Sequence, residues 1–261
     1  MRSIFDFFFA SFLGPEVYES KRLLAEYLLL HYGSGEDLLN GLPGPLEAVG
    51  FPQRTVHELL DPSRISPTAR ALDLGCAVGA SAFELARHCH QVKGIDFSQK
   101  FISTASILAV QGKLHTHKPI EGKLTASFTA QVPPEISRNR VTFQVGDAMN
   151  LPAELGKFDV VLAANLLCRL PNPQRFLKSL PSLVHPGGQL LLTTPFSWLE
   201  EFTPQSAWLG SKDSPGWEAL KETLFPHFEL EKKIDLPFLI REHARKFQYG
   251  ISLGSRWIRR H

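Results

Sequence analysis

Residues 71–79 read Ala71-Leu-Asp-Leu-Gly-Cys-Ala-Val-Gly79, an apolar run that ends on an aspartate and two glycines, with Ser81 opening the next segment. A short apolar run broken in this way is a strand feeding a tight turn, and the turn hands over to a helix. Gly75 and Gly79 omit the Cβ atoms that would hold a ligand away from the backbone. Asp73 stands where a carboxylate orders the loop or meets a ligand's ammonium group. The spacing is not the G-x-G-x-x-G fingerprint that cradles pyrophosphate on a helix N-terminus, so a nicotinamide dinucleotide is disfavoured.

Working outward, short apolar runs alternate with helical segments from Arg70 onward, the signature of a parallel sheet with crossover helices. Strands are expected at Ala71–Leu74, Gln91–Ile95, Val141–Val145, Phe158–Ala163 and Gln189–Thr194, with helices at Ser81–His88, Ser98–Gln111 and Pro173–Leu180. A helix near Trp217–Leu224 and two final strands around Phe228–Ile234 and Lys246–Trp257 complete the reading. The polar stretch Lys113–Arg140 is too long for a turn and reads as a surface insertion between the second crossover helix and the third strand. Upstream, a helix is expected from Pro15 through Val17, Leu24, Tyr27, Leu28 and His31 to a stop at Gly33. Residues 33–52 hold five glycines and three prolines and read as a loop into a short helix over Thr55–Leu60. The organisation expected is an N-terminal helical cap over residues 1–64 and an α/β core over 65–261, together one compact unit.

The chain of 261 residues is 43% hydrophobic and 21% charged, with a formal charge of +2. These values describe an ordinary globular chain and lack the dense basic surface of a nucleic-acid binder. Three cysteines without CxxC spacing suit neither a disulfide framework nor a structural zinc site, and fit a reducing cytoplasm. No His, Cys and Asp spacing implies a metal. The Phe-rich stretch Ile4–Leu13 is interrupted by Asp6 and closed by Gly14-Pro15-Glu16. It is shorter than the roughly 20 residues of a membrane span and lacks a clean cleavage site. It is therefore expected to be a helix packed on its own domain or a partner, with no membrane contact.

Three further strand ends carry chemistry. Gly94-Ile-Asp96-Phe97-Ser98 ends the second strand with a carboxylate placed to bind ribose hydroxyls. Gly146-Asp147-Ala148 ends the third, where an acceptor can take an adenine amino group and Phe97 or Met149 can cover the ring. Ala164-Asn165-Leu166-Leu167 closes the fourth, and His185-Pro-Gly-Gly188 precedes the fifth.

In register, these four motifs resemble the class I methyltransferases that use S-adenosylmethionine (SAM) and release S-adenosylhomocysteine. The resemblance implies a Rossmann-like, seven-stranded doubly wound sheet ordered 3-2-1-4-5-7-6 with the last strand antiparallel. It implies Asp73, Gly75, Cys76 and Gly79 around the methionine end of SAM, Asp96 on the ribose, Phe97, Asp147 and Ala148 at adenine, and Asn165 beside the sulfonium. Arg54, just upstream of the glycine turn, is the candidate for the SAM carboxylate.

The flanks are similar to the methyltransferase domain at the C-terminal end of ovothiol synthases. The stretches are Tyr18-Glu-Ser20, Tyr27 to Gly33, Phe51-Pro-Gln-Arg54, Ala163 to Leu170, Trp198-Leu-Glu-Glu-Phe-Thr-Pro204 and Leu236 to Gln248. This resemblance implies N-methylation of the imidazole of 4-mercaptohistidine (5-thiohistidine) to ovothiol A. The sulfur-transfer step would lie on a separate partner enzyme. Because the thiolate is the better intrinsic nucleophile, ring methylation requires the acceptor's carboxylate and amine to be clamped so that the nitrogen faces the methyl. Arg241, Arg245 and Arg169 are the candidate carboxylate clamps; Glu200, Glu201 and Glu242 are the candidate amine partners. His243 and Tyr18 are the candidate bases. Asn165-Leu-Leu-Cys168 has neither the N-P-P-Y pattern of amino-methylating DNA enzymes nor the paired acids of arginine methyltransferases. A methyltransferase of another small molecule, including the selenium analogue, and a SAM-binding module without turnover share every core motif and remain alternatives.

Overall fold

The computed structural model of the chain describes residues 15–261; the expected helix at Ile4–Leu13 lies outside the described residues. Seven strands form one sheet: β1 (Arg70–Leu74), β2 (Gln91–Asp96), β5 (Val141–Val145), β6 (Phe158–Ala164), β7 (Val184–Thr194), β8 (Phe228–His243) and β9 (Lys246–Arg259). Their spatial order is β5-β2-β1-β6-β7-β9-β8. Counted along the sheet strands alone this is 3-2-1-4-5-7-6, with β9 antiparallel to both neighbours, as the resemblance implied. The strands alternate their side chains between two cores. Val160 and Leu162 of β6 pack with Leu59, Phe83 and Phe101 on one face. Val161 and Ala163 pack with Phe176, Leu220 and Trp257 on the other.

The helices are α1 (Lys21–Tyr32), α2 (Gly35–Leu39), α3 (Phe51–Leu59), α4 (Ala80–Leu85), α5 (Gln99–Gln111), α6 (Pro173–Ser179) and α7 (Gly216–Leu224). Local chemistry sets their ends. The Ser98 hydroxyl accepts from the Phe101 N–H at the start of α5, and Gly112 ends it at φ 78°. Asn172 caps α6 through the Arg175 N–H, with Pro173 in the first turn. The helix expected from Pro15 onward is divided at Ser20. Residues Pro15–Glu19 form a 3-10 turn, and the Ser20 hydroxyl accepts from the Leu23 N–H to start α1 afresh.

Two differences from expectation shape the ligand side. The stretch Lys113–Arg140 is an antiparallel hairpin of β3 (Lys113–Glu121) and β4 (Leu124–Gln131), packed against α1 and β8. The last two strands are also longer than their hydrophobic patterns indicate. Thr194, the last residue of β7, pairs with Leu253, which pairs with Asp235. Residues 236–252 of the β8–β9 hairpin therefore overhang the carboxyl ends of the parallel strands. The overhang is fastened by the Arg22–Glu242 ion pair at 2.8 Å, by the Ala244 N–H donating to Ile120 O at 3.1 Å, and by Arg54 donating to Pro237 O. Among the described residues no helix is long and apolar enough to cross a membrane, and no cluster of three or more His, Cys, Asp or Glu is placed to hold a metal.

Candidate functional site

The turn from β1 into α4 is built from backbone that only a few residue types tolerate. Gly75 and Gly79 have φ of 71° and 91°, and Ala77 between them has φ 46°. A Cβ on Gly79 would lie 2.5 Å from Phe143 Cζ, and one on Gly75 would lie 2.9 Å from Leu166 Cδ1. The strained Ala77 is held by its N–H, which donates to Asp96 Oδ2 at 2.9 Å. Asp96 Oδ1 accepts from the Ser98 N–H at 2.9 Å. One carboxylate at the end of β2 thus braces both turns and retains a lone pair on each oxygen.

Asp73, at the end of β1, is 1% exposed, and its Oδ2 has no hydrogen-bond partner. Burial, with the neighbouring Asp96 charge, pushes its carboxyl up from 3.8 to about 8. Asp96 is also raised by burial, against the pull of its backbone donors. Beside Asp73, Cys76 is buried and its thiol is raised well above its ordinary range by burial and the two aspartates, so it stays protonated. At the end of β5, Asp147 accepts from the Met149 N–H at 2.8 Å and from Asn150 Nδ2 at 2.6 Å, Ala148 is half-buried, and Phe97 stands 62% exposed after β2. Asn165, at the end of β6, has φ 53°. Its Oδ1 accepts from Thr193 Oγ1 and from Ser252 Oγ, both at 2.8 Å. That pair of bonds ties the end of β6 to the base of the overhanging hairpin.

The N-terminal elements roof this floor. The Tyr32 hydroxyl donates to Val78 O at 2.7 Å, and His31 Nδ1 accepts from the Ala80 N–H at 3.3 Å, so α1 sits on the glycine turn. Tyr18 lies over the start of α5, where Ser98 Oγ donates to its carbonyl at 3.1 Å. Its ring packs on Tyr27, Phe101 and Phe202 at centroid distances of 6.1, 5.9 and 5.8 Å. Arg169 reaches the same ring of Phe202 at 5.5 Å.

Asp73, Gly75, Cys76, Gly79, Asp96, Phe97, Asp147, Ala148, Asn165, Arg169 and Tyr18 are therefore placed at or over the carboxyl ends of the strands. The other candidates are placed elsewhere. Arg54 Nε donates to Val49 O at 2.9 Å and its Nη2 to Pro237 O, which occupies the guanidinium in joining α3 to β8. Arg241 is fully buried and donates to the carbonyls of Asp37, Leu38 and Pro119, so it is a strut between α2 and β3. Arg245 is exposed at the tip of the overhang, and its N–H donates to His243 Nδ1 at 3.3 Å, which closes that turn. Glu242 is buried between Arg22 and Lys246, while Glu200 and Glu201 are exposed on the loop after β7. Tyr18 is near the cleft, but burial raises its phenol, which removes it as a base at neutral pH. Tyr27, Phe202 and Ser252 were not singled out as site residues. The helical spacing of Tyr27 reads as core, and a serine in a strand carries no signal of its own.

Residues 72–192 match the family described as a methyltransferase domain. The ubiquinone biosynthesis O-methyltransferase of Coxiella burnetii (strain Dugway 5J108-111) is 28% identical over 123 residues, 47% of this chain and 42% of that protein. The enzyme of the same name from Xanthomonas campestris pv. campestris (strain B100) is 27% identical over 152 residues, 55% of this chain and 53% of its own. The chain thus spans about half the length of the curated relatives it matches. Among solved structures, the cyclase SpnF aligns with a TM-score of 0.58 at 17% identity, covering 94% of this chain and 95% of its own. The N-methyltransferase NodS from Bradyrhizobium japonicum WM9 aligns at 0.52 and 15% identity, covering 80% and 94%. Likeness at such identities is likeness of fold, and it agrees with the strand order and the glycine turn. Over residues 72–192 the chain is similar to a methyltransferase domain, and its sheet order and glycine turn agree with the class I methyltransferase fold.

Proposed function

We propose that the chain transfers a methyl group from SAM to a ring nitrogen of a small amino-acid acceptor, 4-mercaptohistidine. The observation that carries the SAM part is Asp73. A buried carboxylate oxygen without a partner costs free energy unless a ligand donor completes it. The ammonium of SAM is such a donor, and the positive φ of Gly75 and Gly79 lets the turn fold tightly beside it. Asp96 keeps a lone pair on each oxygen for the ribose diol. The mercaptohistidine part rests on the likeness of the flanking stretches to the ovothiol methyltransferase domain.

SAM supplies a methyl on a sulfonium that leaves as a neutral thioether. The pyridine-type nitrogen of the imidazole already carries the attacking lone pair. The proton departs afterwards from the other ring nitrogen, so no side chain has to be deprotonated beforehand. This accords with the raised phenol of Tyr18 and with the placement of His243 at the hairpin tip. The protein's work is then positioning, which can supply roughly 7–11 kcal/mol. Asp73, Asp96 and Asn165 fix the cofactor side, and the roof of Tyr18, Tyr27 and Phe202 shapes the acceptor side and sheds water. The deciding assay is a mass-spectrometric endpoint with SAM and three acceptors: 4-mercaptohistidine, histidine and the cysteine-conjugated sulfoxide precursor of the thiol. A 14-dalton gain on mercaptohistidine alone, placed on nitrogen by fragmentation, is the expected result. No gain on any of the three, with SAM bound, sinks the acceptor assignment.

A further inference from the structure

The cleft is divided by charge. Asp73 and Asp96 lie at the ends of β1 and β2, whereas Arg169 stands on the turn after β6 and bridges to the loop after β7. Its Nη1 donates to Cys168 O at 2.9 Å and to Ser197 O at 2.8 Å. These bonds hold the guanidinium across two strand ends beside Tyr18 and leave its Nε and Nη2 free of backbone and carboxylate acceptors among the described residues. Among the described residues no Asp or Glu forms an ion pair with Arg169, and the groups that act on it most are Cys168, Tyr18 and Tyr27. A half-buried guanidinium without an anion is an incomplete arrangement, since desolvating a cation is costly until a counter-charge meets it. Tyr18 is its companion. Its ring and the guanidinium share Phe202, and its hydroxyl lies close enough to Arg169 and Tyr27 for both to act on it. A phenol that stays protonated and a guanidinium offer a visiting group donors.

We propose that Arg169 and Tyr18 form an anion-recognition corner for the acceptor, selecting a small molecule that carries a carboxylate or thiolate close to the atom that is methylated. This inference rests on the methyltransferase reading. It assigns to Arg169, with Tyr18, the clamp that the buried strut Arg241 cannot supply. It also accounts for how a soft, more nucleophilic thiolate or a carboxylate would be turned toward β6 and away from the methyl, leaving the ring nitrogen in line. The rival occupant of the corner is the carboxylate of SAM itself.

The test pairs enzyme variants with acceptor variants. Wild type, Arg169→Lys, Arg169→Met and Tyr18→Phe are assayed with mercaptohistidine, its carboxamide, and histidine. The carboxamide removes one anion and histidine removes the other. Arg169→Met is expected to lower kcat/KM for mercaptohistidine by roughly thirtyfold or more, mainly through KM, with the lysine variant recovering part of it. The KM for SAM should stay within about twofold. Against the one analogue that lacks the recognised anion, wild type and Arg169→Met should differ little, because the shared contact is already gone. Equal losses on all three acceptors, or a rise confined to the KM for SAM, overturn the proposal. Calorimetric binding of the same three compounds to the protein loaded with S-adenosylhomocysteine gives a readout independent of turnover. If the wild type methylates none of them, the acceptor assignment falls and calorimetry alone decides the corner. A preference for one anion that collapses in Arg169→Met supports it; no such preference in the wild type overturns it.

Discussion

Gly79 shows how tightly a single position can be specified. Its φ of 91° lies where side chains are strained, and a Cβ there would sit 2.5 Å from the ring of Phe143 on β5. Among the described residues, those other than glycine with positive φ, apart from the helix cap Asn40, are Ala77, Asn165 and Phe196. All three lie just beyond carboxyl ends of strands, where backbone strain tends to collect at ligand-binding sites. Gly79→Ala should therefore lose roughly 1–3 kcal/mol of stability from φ strain and overlap with Phe143, and it should weaken SAM binding as the turn shifts. Denaturant midpoints and calorimetry with S-adenosylhomocysteine measure the two losses, and an unchanged midpoint contradicts this account of the turn. At this scale glycines and acids were legible because their chemistry is local: a turn needs Gly75 and Gly79, and a strand end with Asp73 or Asp96 needs something to bind. The arginines were not. A sequence does not tell whether a guanidinium meets a ligand or backbone carbonyls, and Arg54 and Arg241 meet carbonyls.

Elements were read from periodicity, which succeeds where one element buries one face. The alternation of apolar strand and amphipathic helix from β1 to β7 carries the parallel sheet on its own. It misses what is buried by a neighbour distant in sequence. The Lys113–Arg140 stretch alternates residues such as Leu114, Thr116 and Lys118, yet its polarity hides a hairpin whose buried side includes Phe128 and Ala130. The overhang of β8 and β9 carries Arg241 and Glu242, which look solvated until α1, α2 and β3 meet them. Arg241 fastens this assembly by meeting three carbonyls on two other elements. Arg241→Ala should leave those carbonyls without donors and remove roughly 2–4 kcal/mol of stability. The KM for the acceptor should remain within about twofold in the protein that stays folded. The reverse pattern, intact stability with a large rise in acceptor KM, would return Arg241 to the role of clamp.

At the scale of the whole molecule, the buried groups His31 and Asp73 have effects on stability of opposite sign. His31 is held neutral by burial, its pKa lowered from 6.5 to about 3, so the unfolded chain binds more protons between those values and stability falls on acidification below pH 6.5. Asp73 is raised from 3.8 to about 8, so the folded chain binds more protons in that window and stability falls as pH rises through it. Between pH 3.8 and 6.5 the two slopes oppose each other. From 6.5 to 8 the Asp73 slope acts without that opposition, at up to about 1.4 kcal/mol per pH unit. The same proton that stabilises the ligand-free protein blocks pairing with the ammonium of SAM, so ligand stabilisation should grow across the window in which free stability falls. Asp73→Asn keeps the shape of the side chain and removes the titration. Its ligand-free Tm should hold level relative to wild type as pH rises from 6.5 to 8, and the thermal shift given by S-adenosylhomocysteine should become small and independent of pH. Parallel Tm profiles for wild type and variant would mean that Asp73 is ionised in the empty cleft and that its unpartnered oxygen is not the feature that draws the cofactor in.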